Sequence, residues 1–204
     1  DMAQHVVSGA AGVIGGNTGS FNFHDVSRLD YFYDAVKWAA ENGIASGTGR
    51  YTFSPNAVCT RAQTVTFLWR AAGSPLPRYR VCPFTDVQPS DYYYNAVLWA
   101  SNMGIVNGAT ATTFDPDGKI TREQLAAMLY RYAKLKGYDV SASADISGYT
   151  DASSVSSWAT DAMRWAVGAG LINGRTATTL APQGNATRAE VAAILMRFAQ
   201  KIAK

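Results

Sequence analysis

Three arginines stand where helix electrostatics favours an acid. Arg61, Arg122 and Arg188 each follow a threonine: Thr60, Thr121 and Thr187. Each threonine has a Gln or Glu three residues on, at Gln63, Gln124 and Glu190. That is the form of a capping box, in which the hydroxyl accepts from an amide of the first turn and the Gln or Glu reaches back to the cap. The arginine then falls at the first helical position, the positive end of the helix dipole, where a cation costs from a few tenths to about 1 kcal/mol. The same unfavourable choice made three times asks for an anion. One source is internal: Asp25, Asp86 and Asp151, forming structural salt bridges. The other is external: an anionic ligand gripped by the guanidinium fork together with free amides of the helix start. An Asp that orients the arginine for such a ligand would combine the two. Trp38, Trp99 and Trp165 lie on the preceding segment of each unit. A Trp there either packs in the core or offers its face to a sugar ring.

Other chemistries find little support. His5 and His24 are unrepeated and have no clear partner. Cys59 and Cys82 lack zinc-ligand spacing, and no Gly-rich phosphate loop precedes a helix. Paired acids for glycoside hydrolysis need a deep cleft, which the pattern does not suggest. The run Asp115-Pro-Asp117-Gly118-Lys-Ile120-Thr121 mimics half an EF-hand, but its first and twelfth positions are Thr113 and Gln124 rather than carboxylates. We therefore expect no metal, no cofactor and no catalysis. A net charge of +3 with 16% charged residues is too mild and dispersed for nucleic acid. No apolar run reaches membrane-spanning length.

The elements that must position these residues come from a repeat. Phe23-His-Asp25-Val26 returns as Phe84-Thr-Asp86-Val87 and as Tyr149-Thr-Asp151-Ala152. Each is followed by its Trp, then by Gly43, Gly104 or Gly170, then by Gly47, Gly108 or Gly174. Next come Phe53-Ser-Pro55, Phe114-Asp-Pro116 and Leu180-Ala-Pro182, and then Thr-Arg. From the second Gly to the Thr is 13 residues every time. Each unit carries two helical patterns. Tyr93, Ala96, Val97 and Ala100 share one helix face, and Gly104-Ile105 is a Schellman-type stop. Behind the caps run apolar stripes such as Leu125, Met128, Leu129 and Tyr132, flanked by alanines that permit close helix approach. The intervening segment is loop, with a very short strand expected near Thr52–Phe53. Hydrophobic residues make up 48%, enough for three small units to share one core.

This ordered set resembles the bacterial S-layer homology (SLH) domain triplet, over about residues 21–202. The resemblance implies an all-α fold of three helix-loop-helix repeats, at residues 21–73, 82–137 and 147–202. It also implies a pseudo-threefold, three-pronged spindle with a central three-helix bundle and grooves between repeats. Residues 1–20 are Gly-, Ala- and Ser-rich, lack a leader's basic and long apolar stretches, and read as linker. The implied function is non-catalytic anchoring at the outer face of a bacterium, as a monomer. The implied partner is a secondary cell-wall polysaccharide, bound through anionic, pyruvylated N-acetylmannosamine termini. On that view Arg61, Arg122 and Arg188 bind the sugar anions, oriented by Asp25, Asp86 and Asp151. Trp38, Trp99, Trp165, Gly47, Gly108 and Gly174 then shape the grooves. The extracellular address also implies a Cys59–Cys82 disulfide; the alternative is a buried free thiol at Cys59.

Departures from the family pattern point to unequal grooves. Tyr51, Thr112 and Thr178 replace a loop glycine, and Leu180 replaces a Phe. Gln63 and Gln124 stand where Glu is usual, so a ligand contact needing that carboxylate survives only at Glu190. A protein–protein assembly module is the alternative; Tyr31-Phe-Tyr33 and Tyr92-Tyr-Tyr94 would serve its interface as well as they would a glycan.

Overall fold

A computed structural model describes residues 21–204, so the linker reading of residues 1–20 lies outside the described part. Among the described residues there are six α-helices and no extended strand. They are α1 (Tyr33–Glu41), α2 (Arg61–Ala71), α3 (Tyr94–Asn102), α4 (Arg122–Lys136), α5 (Thr160–Gly168) and α6 (Arg188–Lys201). Each repeat contributes two. The third repeat adds two 3-10 turns, Ala152–Ser154 and Ser157–Ala159, before α5. They lie in the stretch where its Asp-to-Trp spacing is one residue longer.

The helix ends follow the local chemistry. Gly43, Gly104 and Gly170 adopt φ of +66°, +71° and +72°. The amide after each glycine turns back five residues along the chain: Ile44 N–H to Ala39 O (2.8 Å), Ile105 N–H to Ala100 O (2.9 Å) and Leu171 N–H to Ala166 O (2.9 Å). Ile44, Ile105 and Leu171 are fully buried, which supplies the apolar contact of the Schellman stop. At the other helix ends, Thr60 and Thr121 form complete capping boxes with Gln63 and Gln124. The third cap departs from expectation. Thr187 accepts from the Glu190 amide, but the Glu190 side chain does not return to the Thr187 N–H.

The expected short strand near Thr52–Phe53 is absent. Extended pairing falls instead just ahead of the caps, in antiparallel bridges between repeats: Val58 with Thr187, Thr60 with Lys119 and Thr121 with Asn185. At the centre the equivalent residues Cys59, Ile120 and Ala186 close a ring of backbone hydrogen bonds. Cys59 N–H donates to Ala186 O (2.9 Å), Ile120 N–H to Cys59 O (3.0 Å) and Ala186 N–H to Ile120 O (3.2 Å). All three side chains are buried. An amide buried there without an acceptor would cost about 1–3 kcal/mol, so each repeat completes its neighbour.

Helix packing follows the same cyclic order. The second helix of each repeat packs on the first helix of the next: α2 on α3, α4 on α5, and α6 back on α1. The second helices also meet where Tyr132 of α4 packs on Phe198 of α6, ring centroids 6.0 Å apart. A linear repeat array has two free ends; here the last helix covers the first.

Candidate ligand grooves

The Phe-x-Pro loop is the unit from which each groove is built. Its middle residue is forced into the left-handed region: Ser54 at φ +57°, Asp115 at +61° and Ala181 at +52°. Non-glycine residues are rare there, and a following proline disfavours helical conformations further. The repeat's Asp holds the strained peptide in place. Asp25 accepts from Phe53 N–H (2.9 Å) and Ser54 N–H (2.8 Å). Asp86 accepts from Phe114 and Asp115 N–H, and Asp151 from Leu180 and Ala181 N–H, all at 2.8 Å. The two loop amides hold the Asp151 carboxyl below the usual carboxylate range. Burial works against Asp86, yet its two loop amides and Arg61 still leave it depressed.

The loop then receives the preceding repeat's helix. Arg61 donates from Nε to Phe114 O (3.1 Å) and from Nη2 to Asn107 O (3.2 Å). Arg122 does the same to Leu180 O (3.0 Å) and Asn173 O. Arg188 reaches Phe53 O (2.9 Å) and Ser46 O (2.8 Å), closing the cycle. Arg61 and Arg188 also lie over the rings of Phe114 and Phe53, at 4.8 and 4.7 Å. Leu180 denies Arg122 that cation–π contact.

These contacts correct two expectations. No Arg–Asp ion pair forms; the two side chains grip opposite sides of one peptide, the Asp its N–H and the Arg its C=O. The compensating negative charge is mainly carbonyl dipole, with the Asp as a Coulombic neighbour. The first three amides of each helix are not free either. Arg61 N–H donates to Gly118 O (2.8 Å), Ala62 N–H to Pro116 O (3.0 Å) and Gln63 N–H to the Thr60 hydroxyl. The other two helices repeat this. The EF-hand-like loop thus serves as the receptor for a helix N-terminus.

The tryptophans are core residues. Trp99 and Trp165 are buried, and Trp38 packs against the core with its ring nitrogen buried. The Nε1 atoms of Trp38 and Trp165 have no acceptor among the described residues, and none of Trp38, Trp99 and Trp165 lines the two clearest grooves. The cysteines are free thiols, so the expected disulfide is not formed. Cys59 sits in the central ring, where burial pushes its thiol up to about 11. Cys82 faces the Phe84 and Val87 carbonyls instead. A neutral buried thiol is inert to exchange.

The loop glycines are required by close packing. A Cβ on Gly47, Gly108 or Gly174 would lie 2.3, 2.3 or 2.5 Å from a backbone carbonyl oxygen of its own loop. Gly108 and Gly174 also line the two clearest grooves.

The first groove, about 420 Å³, combines Arg61 of repeat one, the Asn107–Ala109 loop and Gln124, Met128 and Arg131 of repeat two, and Trp158 of repeat three. The second, about 310 Å³, combines Arg122 of repeat two, the Asn173–Arg175 loop and Glu190, Ile194 and Arg197 of repeat three, and Tyr31 of repeat one. Each draws on all three repeats. At the third equivalent place Phe67 replaces Met128 and Ile194, and it is buried against the Arg188 guanidinium, 5.3 Å away.

Two further sets of residues recur at or beside the grooves. Arg70, Arg131 and Arg197 follow the helix-start arginines by nine residues in every repeat, a signal that was available. They donate to Ile44 O, Ile105 O and Leu171 O at 3.4, 3.3 and 3.1 Å. Tyr31, Tyr92 and Trp158 precede the core tryptophans by seven residues and remain exposed, at 72, 60 and 54%. Tyr31 and Tyr92 belong to the aromatic clusters visible in the sequence; Trp158, a different residue type, is linked to them only by the common spacing. Glu123 is a further tie, specific to one interface: buried, it accepts from Ser156 N–H (3.0 Å) and Oγ (2.7 Å) across to repeat three.

Three loops clasped cyclically by their neighbours' helices match a known class. The chain matches the S-layer homology domain over residues 22–65, 83–126 and 148–192, and belongs to that family. It is 31% identical, over 99% of its length, to an endoglucanase of Bacillus sp. (strain KSM-635), of which the match covers 21%. It is 30% identical over 88% of its length to an amylopullulanase of Thermoanaerobacterium thermosulfurigenes (10% of that protein). It is 29% identical over 88% to the surface-layer 125 kDa protein of Lysinibacillus sphaericus (15%). The chain thus spans from a tenth to about a fifth of these relatives. Family and S-layer relatives together make it a bacterial cell-surface anchoring module. Among the described residues no helix is long and apolar enough to cross a membrane.

Proposed function

We propose that the module tethers a larger surface protein by binding wall-linked polysaccharide in the inter-repeat grooves, through anionic sugar termini such as pyruvylated N-acetylmannosamine. The observation that carries this is the makeup of the two grooves. Each sets an exposed aromatic ring opposite arginines at the mouth of a concave, partly polar surface. A sugar ring stacks on Trp158 or Tyr31, while its acidic substituent meets a guanidinium fork. The helix-start arginines have a double duty in this reading: Nε and Nη2 hold the neighbouring loop, and the remaining edge of Arg61 or Arg122 faces the groove. Asp25, Asp86 and Asp151 act indirectly, by bracing the loops that fix those arginines. The module works as a monomer.

The test is sedimentation with wall sacculi, before and after acid removal of the attached polymer. Trp158→Ala and Tyr31→Ala are the informative variants, because neither side chain supports the fold. Binding that requires the polymer and falls with either variant supports the reading. Equal binding to stripped sacculi, or none to intact ones, would favour a protein–protein assembly module.

A further inference from the structure

The third capping box is open for a reason visible in the second groove. In repeats one and two, Gln63 and Gln124 return to the Thr60 and Thr121 amides at 3.0 and 3.1 Å. In repeat three the Thr187 N–H has no acceptor among the described residues, although Glu190 stands at the same position. The Glu190 carboxylate is drawn away by Arg175, with Oε2 3.4 Å from Nη2. Arg175 is peculiar to this groove. Its equivalents are Ala109 in the first groove and Thr48 in repeat one, which offer no charge. Its second anchor is Asn185 O, at 2.8 Å.

We propose that Arg175 and Glu190 form a ligand-operated gate in the second groove: an incoming sugar carboxylate displaces Glu190 from Arg175, and the released Glu190 closes on the Thr187 amide. The inference rests on the anionic-glycan reading above and adds its specificity determinant. In the unliganded chain Glu190 neutralises Arg175 and presents a negative charge to the groove, which disfavours weak or misplaced anions. A carboxylate that reaches Arg175 with good geometry replaces one charge-assisted bond with another. The displaced Glu190 gains the acceptor role that Gln63 and Gln124 already play, so its removal is offset by a completed cap. The first groove has no such competitor: Gln124 is committed to Thr121, and Ala109 makes no charge contact. The two grooves should therefore differ in kind. The first recognises ligand largely through Trp158 and Arg61; the second requires an acidic group.

Two substitutions separate the gate from a structural ion pair. Glu190→Gln closes the third box as in the other repeats and frees Arg175. We expect a melting temperature about 2–3 °C higher and acid-extracted wall polymer bound about two- to fivefold more tightly. Arg175→Ala also frees Glu190 for its cap and raises stability, but leaves its carboxylate without a positive partner; polymer affinity should fall about tenfold. Opposite affinity changes with stability changes of the same sign are the signature. If the wild-type chain binds polymer and the two variants bind equally well, the gate is wrong. An amide-resolved titration with pyruvate, the smallest probe of the acidic group, keeps the gate separate from the anchoring reading. Thr187 N–H should shift and gain exchange protection while Thr60 and Thr121 do not. That response without sacculus binding would retain the gate and reject anchoring; an inert Thr187 at saturating pyruvate would reject the gate.

Discussion

The inner face of each loop and its outer rim obey different rules. Inside, the same three parts recur: an Asp on two amides, an Arg on two carbonyls, and a glycine with no room for a Cβ. Outside, the rim changes from groove to groove, with Trp158, Tyr31 or Tyr92 as the aromatic and Ala109, Arg175 or Thr48 on the loop. Charge and repetition drew attention to the inner residues as ligand binders; in the structure they are first of all joints between repeats, with an edge of Arg61 and Arg122 left on the grooves. The variable rim is where ligand selection can reside, since substitutions there leave the joints intact.

The comparison can be broken most sharply at a joint. Arg188→Ala should destabilise the whole chain by about 3 kcal/mol or more, because the buried Phe53 carbonyl and the Ser46 carbonyl lose their donor and a guanidinium-sized gap opens. Lys should rescue little, since one ammonium cannot span the two carbonyls as the fork does. Chemical denaturation would measure both. A change below about 0.5 kcal/mol would return Arg188 to the ligand-binding class.

Gly108→Ala comes next, at about 2–3 kcal/mol, because the new Cβ meets backbone rather than a yielding side chain. Loss of polymer binding in that variant without loss of stability would move Gly108 from joint to rim.

Asp86→Asn should cost about 1–2 kcal/mol, since an amide can accept from only one of the two loop N–H groups. The pH dependence sharpens the point. Asp86 and Asp151 have folded-state values below the ordinary carboxylate range. Their contribution is complete above the unfolded value of about 4 and is lost as pH falls through the depressed folded value. Melting temperature should therefore drop below about pH 4, less steeply in the Asn variant. Identical slopes would show that the clamp does not drive acid unfolding.

The smallest stability effect is expected at the rim. Trp158→Ala, more than half exposed, should change stability by less than about 0.5 kcal/mol while weakening sacculus binding. A large destabilisation there would erase the distinction between joint and rim.

Much of the architecture is legible along the chain because it is made locally. Gly104-Ile105 stops α3, and Thr121 with Gln124 starts α4, through bonds between residues three to five apart; both signals lie in side-chain types at short spacing. The threefold recurrence of these signals gives the repeat number and the helix count. The same logic misread the third cap: the sequence has a Glu at the right place, but Arg175, fifteen residues upstream, competes for it. Of the rim aromatics, Tyr31 and Tyr92 stand out as clusters in the sequence, whereas Trp158 does not, because it shares their position and not their type.

What the sequence determined by itself is thus everything governed by neighbours within a turn or two: helices, stops, caps and the count of units. Tertiary structure alone decided where the arginines go, which repeat completes which, and that Cys59 lies in a ring with Ile120 and Ala186 rather than beside Cys82. The physical reason is the identity of the acceptors. Arg188 donates to the carbonyls of Phe53 and Ser46, 135 and 142 positions away. A backbone carbonyl is the same at every residue and carries no mark in the sequence. Only the closed cycle of loops, with each strained peptide held by its Asp, brings those carbonyls to the guanidinium.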